Sequence, residues 1–276
     1  MKIVIISQCS PREKIVVHEI IKNFDEVVLI HSKASKSLVN KVQKPKNGSK
    51  AKSQTFFDKN GLRFFHKFHK ISIQRKAGNF NPENHDFTKI DFPFSEINTE
   101  KGIGLLRSLQ PDILFTCNAP ILKGEILEIP RIAAINVHYG IPPHYRGNDT
   151  LFWAYIKKDF DNLGGCLHYT TKGVDKGNIL AEVFPSLEPK DGLVEVDIKT
   201  SELLAKAAVK ILKSIENCGE IPKGKVQVEK GRNYKLHEKT LFHYLGYLAQ
   251  HNLGLLRPKV RKEKTLFYHG QKVVLV

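Results

Sequence analysis

The residues best suited to chemistry are Asn136 and His138, which close the apolar run Ile132-Ala133-Ala134-Ile135. In a strand, residues two apart share a face, so this amide and imidazole project side by side. Open α/β sheets bind their ligands at the carboxyl ends of the strands, which is where this pair falls. An amide next to an imidazole can polarise a carbonyl oxygen and accept a proton. Taken alone, Asn-x-His reads equally as a strand ending in two polar groups. Asp175 stands in the turn Gly173-Val174-Asp175-Lys176-Gly177, and turn aspartates among glycines are common. His168 alternates with Cys166 and Thr170 on a strand face and reads as a satisfied structural histidine. His66, His69 and His85 lack ligand spacing, so no metal site is expected.

These residues need a sheet to hold them. Lys2–Ile6 is a β-branched run that predicts a buried first strand. The spacing of Ile15, Val16, Ile20 and Ile21 predicts a helix over Pro11–Asn23, and Val27–Ile30 reads as a second strand. Strand, helix and strand within thirty residues imply a parallel sheet with crossovers, an α/β fold. Residues 32–60 are rich in Lys, Ser and Asn and read as a loop or insertion. Further along, Gly102–Leu109 predicts a helix and Asp112–Cys117 a strand. Ile121–Ile129 predicts a helix closed by Pro130, Ile132–His138 a strand and Leu151–Lys158 a short helix. Cys166–Thr170 and Ile179–Phe184 read as a strand pair, and Ser201–Ile215 as an amphipathic helix. The last sixty residues are short, basic and mixed in pattern, so a domain boundary is expected between 1–215 and 216–276.

Composition bounds the rest. The chain has 276 residues, 41% of them hydrophobic and 26% charged, an ordinary balance for a globular protein. Its longest apolar runs fall far short of the ~20 residues of a membrane span. No secretory apolar stretch of ~7–15 residues follows Lys2. The four cysteines (Cys9, Cys117, Cys166 and Cys218) form no Cys-x-x-Cys pair. A reduced, cytoplasmic protein without membrane contact is expected. The net charge is +16, with thirteen Lys/Arg against Asp58 alone between Lys33 and Lys76. Sixteen Lys/Arg against six acids follow from Lys199 onward. Such a surface attracts polyanions, but no aromatic residues interleave with base-reading side chains, so sequence-specific DNA binding is not expected.

The run Asn136-Val137-His138-Tyr139-Gly140-Ile141-Pro142-Pro143-His144-Tyr145-Arg146-Gly147 is followed by Trp153-Ala154, Gly164-Gly165-Cys166-Leu167-His168 and the Asp175 turn. Pro111-Asp112-Ile113-Leu114 and Ile129-Pro130 precede it. In order and spacing these motifs resemble the 10-formyltetrahydrofolate-dependent formyltransferases over roughly residues 1–215. The resemblance implies a Rossmann-like, mostly parallel sheet with a small basic C-terminal domain or extension. It implies transfer of a formyl group from 10-formyltetrahydrofolate to a primary amine. Asn136, His138 and Asp175 would then be catalytic, Asn136 donating to the developing oxyanion and His138 handling the amine proton. The folate would lie between Asn118–Leu122 and Thr170–Val174, touching Asn118, Ile121, Leu122, Thr171, Gly173 and Val174. Tyr139, Tyr145, Arg146 and Gly147 would border the acceptor. Family habit implies a homodimer through the C-terminal segment.

Departures from the family pattern bear on the acceptor. Gly140, two residues after the histidine, is similar to the nucleotide-sugar formyltransferases, whereas methionyl-tRNA formyltransferases usually place serine there. The 101 residues after Asp175 are few for the tRNA enzymes and many for the purine-pathway ones. The sequence therefore points to a nucleotide-activated amino sugar. Methionyl-tRNA is the alternative favoured by the basic surface. A non-catalytic nucleotide- or RNA-binding module on the same scaffold is a third reading.

Overall fold

The computed structural model describes residues 1–33, 56–78, 85–219, 221–228, 231–269 and 272–275. Most of the 32–60 stretch expected as a loop lies outside these residues. Strand β1 (Ile3–Ser7) is buried on both faces, as expected of a central strand of a parallel sheet. Its alternation splits the core. Ile3 and Ile5 join the larger apolar cluster on one face, while Val4 and Ile6 join a smaller one with Leu106 and Ile126 on the other. Helix α1 (Pro11–Asn23) starts at Pro11 because Ser10 is extended and its N–H donates to Glu13 at 2.7 Å, half of a capping box. Next come β2 (Val27–Lys33), α2 (Phe56–Ala77) and β3 (Thr88–Pro93), then α3 (Glu100–Leu109), β4 (Ile113–Cys117) and β5 (Ala133–His138).

Strands β1 to β5 are parallel in the order β3-β2-β1-β4-β5. The order reverses between β1 and β4, so the chain leaves these neighbours toward opposite sides of the sheet and opens a crevice at their carboxyl ends. Beyond β5 the sheet turns antiparallel through β7 (Gly165–Tyr169) and β8 (Ile179–Phe184). It then continues into β10 (Lys264–His269) and β11 (Lys272–Leu275). Among the described residues nine strands thus make one sheet. The short β6 (Tyr145–Gly147) pairs separately with β9 (Arg232–Tyr234). Helices α4 (Thr150–Ile156), α5 (Leu193–Cys218) and α6 (Leu241–Asn252) complete the chain.

Four sequence expectations change. Helix α2 and strand β3 were not anticipated. In α2, Leu62 and Ile73 face inward while Phe64 and Phe68 are exposed, which blurs the helical pattern. The helix expected over Ile121–Ile129 is only a 3-10 turn at Gly124–Glu128, because Pro120 and Pro130 leave little room for more. Helix α5 starts eight residues earlier than Ser201, where the Gly192 N–H donates to Glu195 at 3.0 Å. Helix α5 runs across the expected boundary at 215 into the residues beyond it. Their β10 extends the main sheet beside β8, and their β9 holds β6.

Candidate active site

Residues at the carboxyl end of β5 meet the turn that joins β7 to β8. Asn136 is fixed from both sides. The Thr116 hydroxyl on β4 donates to its Oδ1 at 2.8 Å, and its Nδ2 donates to His168 Nε2 at 3.0 Å. His168 Nδ1 faces the Tyr169 carbonyl at 2.8 Å. A carbonyl only accepts, so Nδ1 carries the proton and Nε2 is the acceptor that orients the amide. Among the described residues the second Nδ2–H of Asn136 has no protein acceptor, leaving it for a ligand.

The same logic sets His138. Its Nε2 faces the Tyr145 carbonyl at 2.7 Å and must donate. Nδ1 is left with its lone pair, 3.4 Å from Asp175 Oδ2. The ring is 6% exposed, and this burial lowers its pKa against the opposing pull of Asp175. His138 is therefore a neutral base at pH 7 whose protonated form a carboxylate waits to stabilise. Burial pushes the Asp175 carboxyl up, but His138 in its protonated form and the Gly147 amide hold it well below the usual carboxylate range. Gly147 N donates to Oδ2 at 2.8 Å, and His168 Nε2 lies 3.3 Å from Oδ1.

Gly140 is required by this packing. A Cβ there would sit 2.7 Å from His138 Nε2, Thr150 Oγ1 and the Tyr145 carbonyl. Gly147 has φ +92° and packs against Asn233 and Tyr234 of the β9 strand, where a Cβ would collide.

The remaining expected residues divide. Asn118, Ile121, Thr171 and Gly173 are exposed, and Val174 is half-buried. They belong to the segments that leave β4 and β7, the two neighbours of β5. Among the described residues, the buried Thr170 Oγ1 finds no hydrogen-bond partner. Leu122 does not belong with them, since it turns into the core beside Ile126.

Three side chains expected at the acceptor are committed to the scaffold instead. The Tyr139 hydroxyl donates to the Arg12 carbonyl at 3.3 Å, with the Arg12 guanidinium 4.1 Å above its ring. The Tyr145 hydroxyl donates to Asp159 at 2.8 Å and its ring stacks on Tyr234. Arg146 is 7% exposed and donates to Gln227. Gly147 contributes its amide to Asp175. A cleft of about 120 Å³ opens at the carboxyl ends of β1 and β4, lined by Arg12, His66, His69, Asn118, Asp149 and Lys239 among others. Arg12 and His69 pair there with Asp197 at 3.2 and 2.6 Å. Lys239 lies 3.3 Å from Asp149, and burial with that lysine pushes His66 down to about 4. Sequence reasoning missed Thr116, Gln227 and Lys239 altogether, and it placed His168 outside the site. The alternation of His168 with Cys166 was the one available signal.

Comparison with known proteins defines the class. Residues 1–212 match the family described as Formyl transferase, and the chain belongs to that family. It is 35% identical over 129 residues to the bifunctional polymyxin resistance protein ArnA of Wigglesworthia glossinidia brevipalpis, covering 46% of this chain and 18% of that one. It is 31% identical over 144 residues to the methionyl-tRNA formyltransferase of Sulfurihydrogenibium sp. (strain YO3AOP1), covering 52% and 46%. These matches span less than half of either relative's length. Among solved structures, a sugar N-formyltransferase from Shewanella sp FDAARGOS_354 aligns with TM-score 0.54 and 16% identity over 90% of this chain and 87% of that one. A 4-N formyltransferase from Francisella tularensis aligns with TM-score 0.55 and 15% identity over 100% and 96%. At these identities the likeness is one of fold.

Proposed function

We propose that this protein moves the formyl group of 10-formyltetrahydrofolate to a primary amine, and that the amine belongs to a nucleotide-activated amino sugar. The observation that carries the transfer is the linked set Asn136, His138 and Asp175, with each group oriented by its own hydrogen bonds. The folate, when bound, supplies an acyl carbon that a neutral amine can attack. His138 Nδ1 takes the proton that the amine loses, Asp175 stabilises the imidazolium, and His138 would return that proton to the folate nitrogen as the bond from that nitrogen to the formyl carbon breaks. The unused Asn136 N–H donates to the oxygen on which charge develops. Thr116 and His168 keep that N–H aimed, so no reorientation is needed during reaction.

Gly140 supports the acceptor. A serine at that position would disturb the bond from His138 to the Tyr145 carbonyl, so this loop is built for the glycine form that resembles the nucleotide-sugar enzymes. Methionyl-tRNA is the second reading. It is favoured by α2, which exposes Arg63, Lys67, Lys70, Arg75 and Lys76 along one helix, and by the methionyl-tRNA formyltransferases among the relatives.

The test is tetrahydrofolate release from 10-formyltetrahydrofolate with nucleotide amino sugars, with methionyl-tRNA and with no acceptor. Turnover that depends on one amino sugar and varies little with salt is the expected result. Turnover with the charged tRNA alone, falling steeply as salt rises through counterion release, would replace the sugar by the tRNA. No turnover with any amine would remove the transfer.

A further inference from the structure

Asp175 has a left-handed backbone, with φ +49°, a sparsely populated region that aspartate enters more readily than most residues with a Cβ. Its carboxylate is held by Gly147 N–H. Its own carbonyl, and that of Gly177, are held by a residue from a distant part of the chain. Gln227 Nε2 donates to the Asp175 carbonyl at 3.1 Å and to the Gly177 carbonyl at 2.7 Å. Gln227 Oε1 accepts from Arg146 Nε at 3.2 Å and from Arg146 Nη2 at 2.6 Å. A primary amide has two N–H donors and two acceptor lone pairs, and all four are used. Because carbonyls face the nitrogen and a guanidinium faces the oxygen, the amide has one orientation. Arg146 precedes Gly147, so a closed ring runs from Gln227 to Asp175, to Gly147, to Arg146 and back. The segment carrying Gln227 is itself anchored, with Lys225 and Ile179 exchanging backbone hydrogen bonds at 2.8 and 2.9 Å.

We propose that Gln227 is a positioning residue for catalysis. It locks the Asp175 turn to the β6 strand and so fixes the carboxylate next to His138 Nδ1. The inference rests on the formyl-transfer reading for its kinetic consequence, but its structural consequence is independent of it. Gln227 lies beyond residue 212, where the family match ends. The C-terminal segment therefore supplies part of the active-site geometry that the catalytic motifs lack.

Two variants separate the halves of the amide. Gln227→Glu keeps an acceptor for Arg146 but has no donor for the two carbonyls. Gln227→Met keeps the length and loses all four bonds. Both are expected to lower kcat by about 10- to 100-fold, the scale of a small displacement of a reacting group. KM for folate and acceptor should stay within about threefold in both, since neither variant removes a group placed to bind them. The second readout needs no substrate. In Gln227→Met the His138 ring, followed by NMR and assigned with His138→Gln, should protonate at lower pH by about half a unit or more, because the charge that favours imidazolium has moved away. The melting temperatures of both variants are measured alongside. Gln227→Glu turning over within twofold of wild type, or an unmoved His138 titration in Gln227→Met, overturns the proposal. A wild-type protein inactive with every acceptor would sink the formyl-transfer reading, and the His138 titration would then decide this one alone.

Discussion

Two parts of the site are built by opposite means. Asn136 and His138 are placed by six residues of one buried strand, where the pleat alone puts both side chains on the same face. Asp175 is placed by a turn with a left-handed residue, held from β6, β7 and the segment around Gln227. The first arrangement is rigid because β5 is paired on both sides, parallel to β4 and antiparallel to β7. The second is rigid only as long as contacts distant in sequence persist. A site assembled this way concentrates its chemical sensitivity on the strand and its structural sensitivity on the turn and the C-terminal segment.

The strand side should give the largest effects. His138→Ala removes the base and is expected to lower kcat by ~10³-fold, measured as tetrahydrofolate release with saturating acceptor. Asn136→Ala removes one donor to the developing charge and should cost ~10²-fold or somewhat more. A loss below tenfold in the same assay would mean that another donor does this work. On the tertiary side, Tyr234→Ala deletes the ring stacked on Tyr145 and Trp153. It should destabilise the protein by about 3 kcal/mol in urea unfolding, with activity lost as the β6–β9 pairing loosens. An unchanged midpoint would show that β6 holds without β9.

The smallest effect is one of pH. The Asp175 carboxyl has its folded-state pKa below its unfolded value of about 3.9. Its contribution to stability is therefore present above that value and disappears as pH falls through the folded-state pKa. Asp175→Asn should lose less stability than wild type between about pH 5 and pH 2, read from denaturant midpoints across that range. Equal slopes would mean that the His138 imidazolium and the Gly147 amide do not favour the charged carboxylate.

Much of the scaffold is legible in the residues themselves. Ile3–Ser7, Pro11–Asn23 and Ile113–Cys117 follow from runs and spacings within single elements, and the structure shows them within a residue of the expected limits. Strand β3 is harder, because its residues are largely exposed and offer no buried run. Helix α2 hides its period by exposing phenylalanines. In the site, Asn136 and His138 are legible from two-residue spacing at a strand end. Tyr139, Tyr145 and Arg146 lie in the segment that follows His138, yet the structure turns their side chains into the scaffold, and no local pattern distinguishes a loop residue that faces a ligand from one that faces the core.

By itself the sequence determined the α/β alternation, the strand end that carries Asn136 and His138, and the motifs of the formyl transferase family. Hydrophobic periodicity and turn chemistry act between residues a few positions apart, so they are written locally. Only the tertiary structure decided that His168 orients Asn136 and that β10 and β11 extend the sheet beyond β8. It alone decided that Gln227 reaches the Asp175 turn across 52 residues and Arg146 across 81. A single polar side chain meeting a distant carbonyl leaves no period, cap or turn signature along the chain, because the bond depends on where two separate elements come to rest.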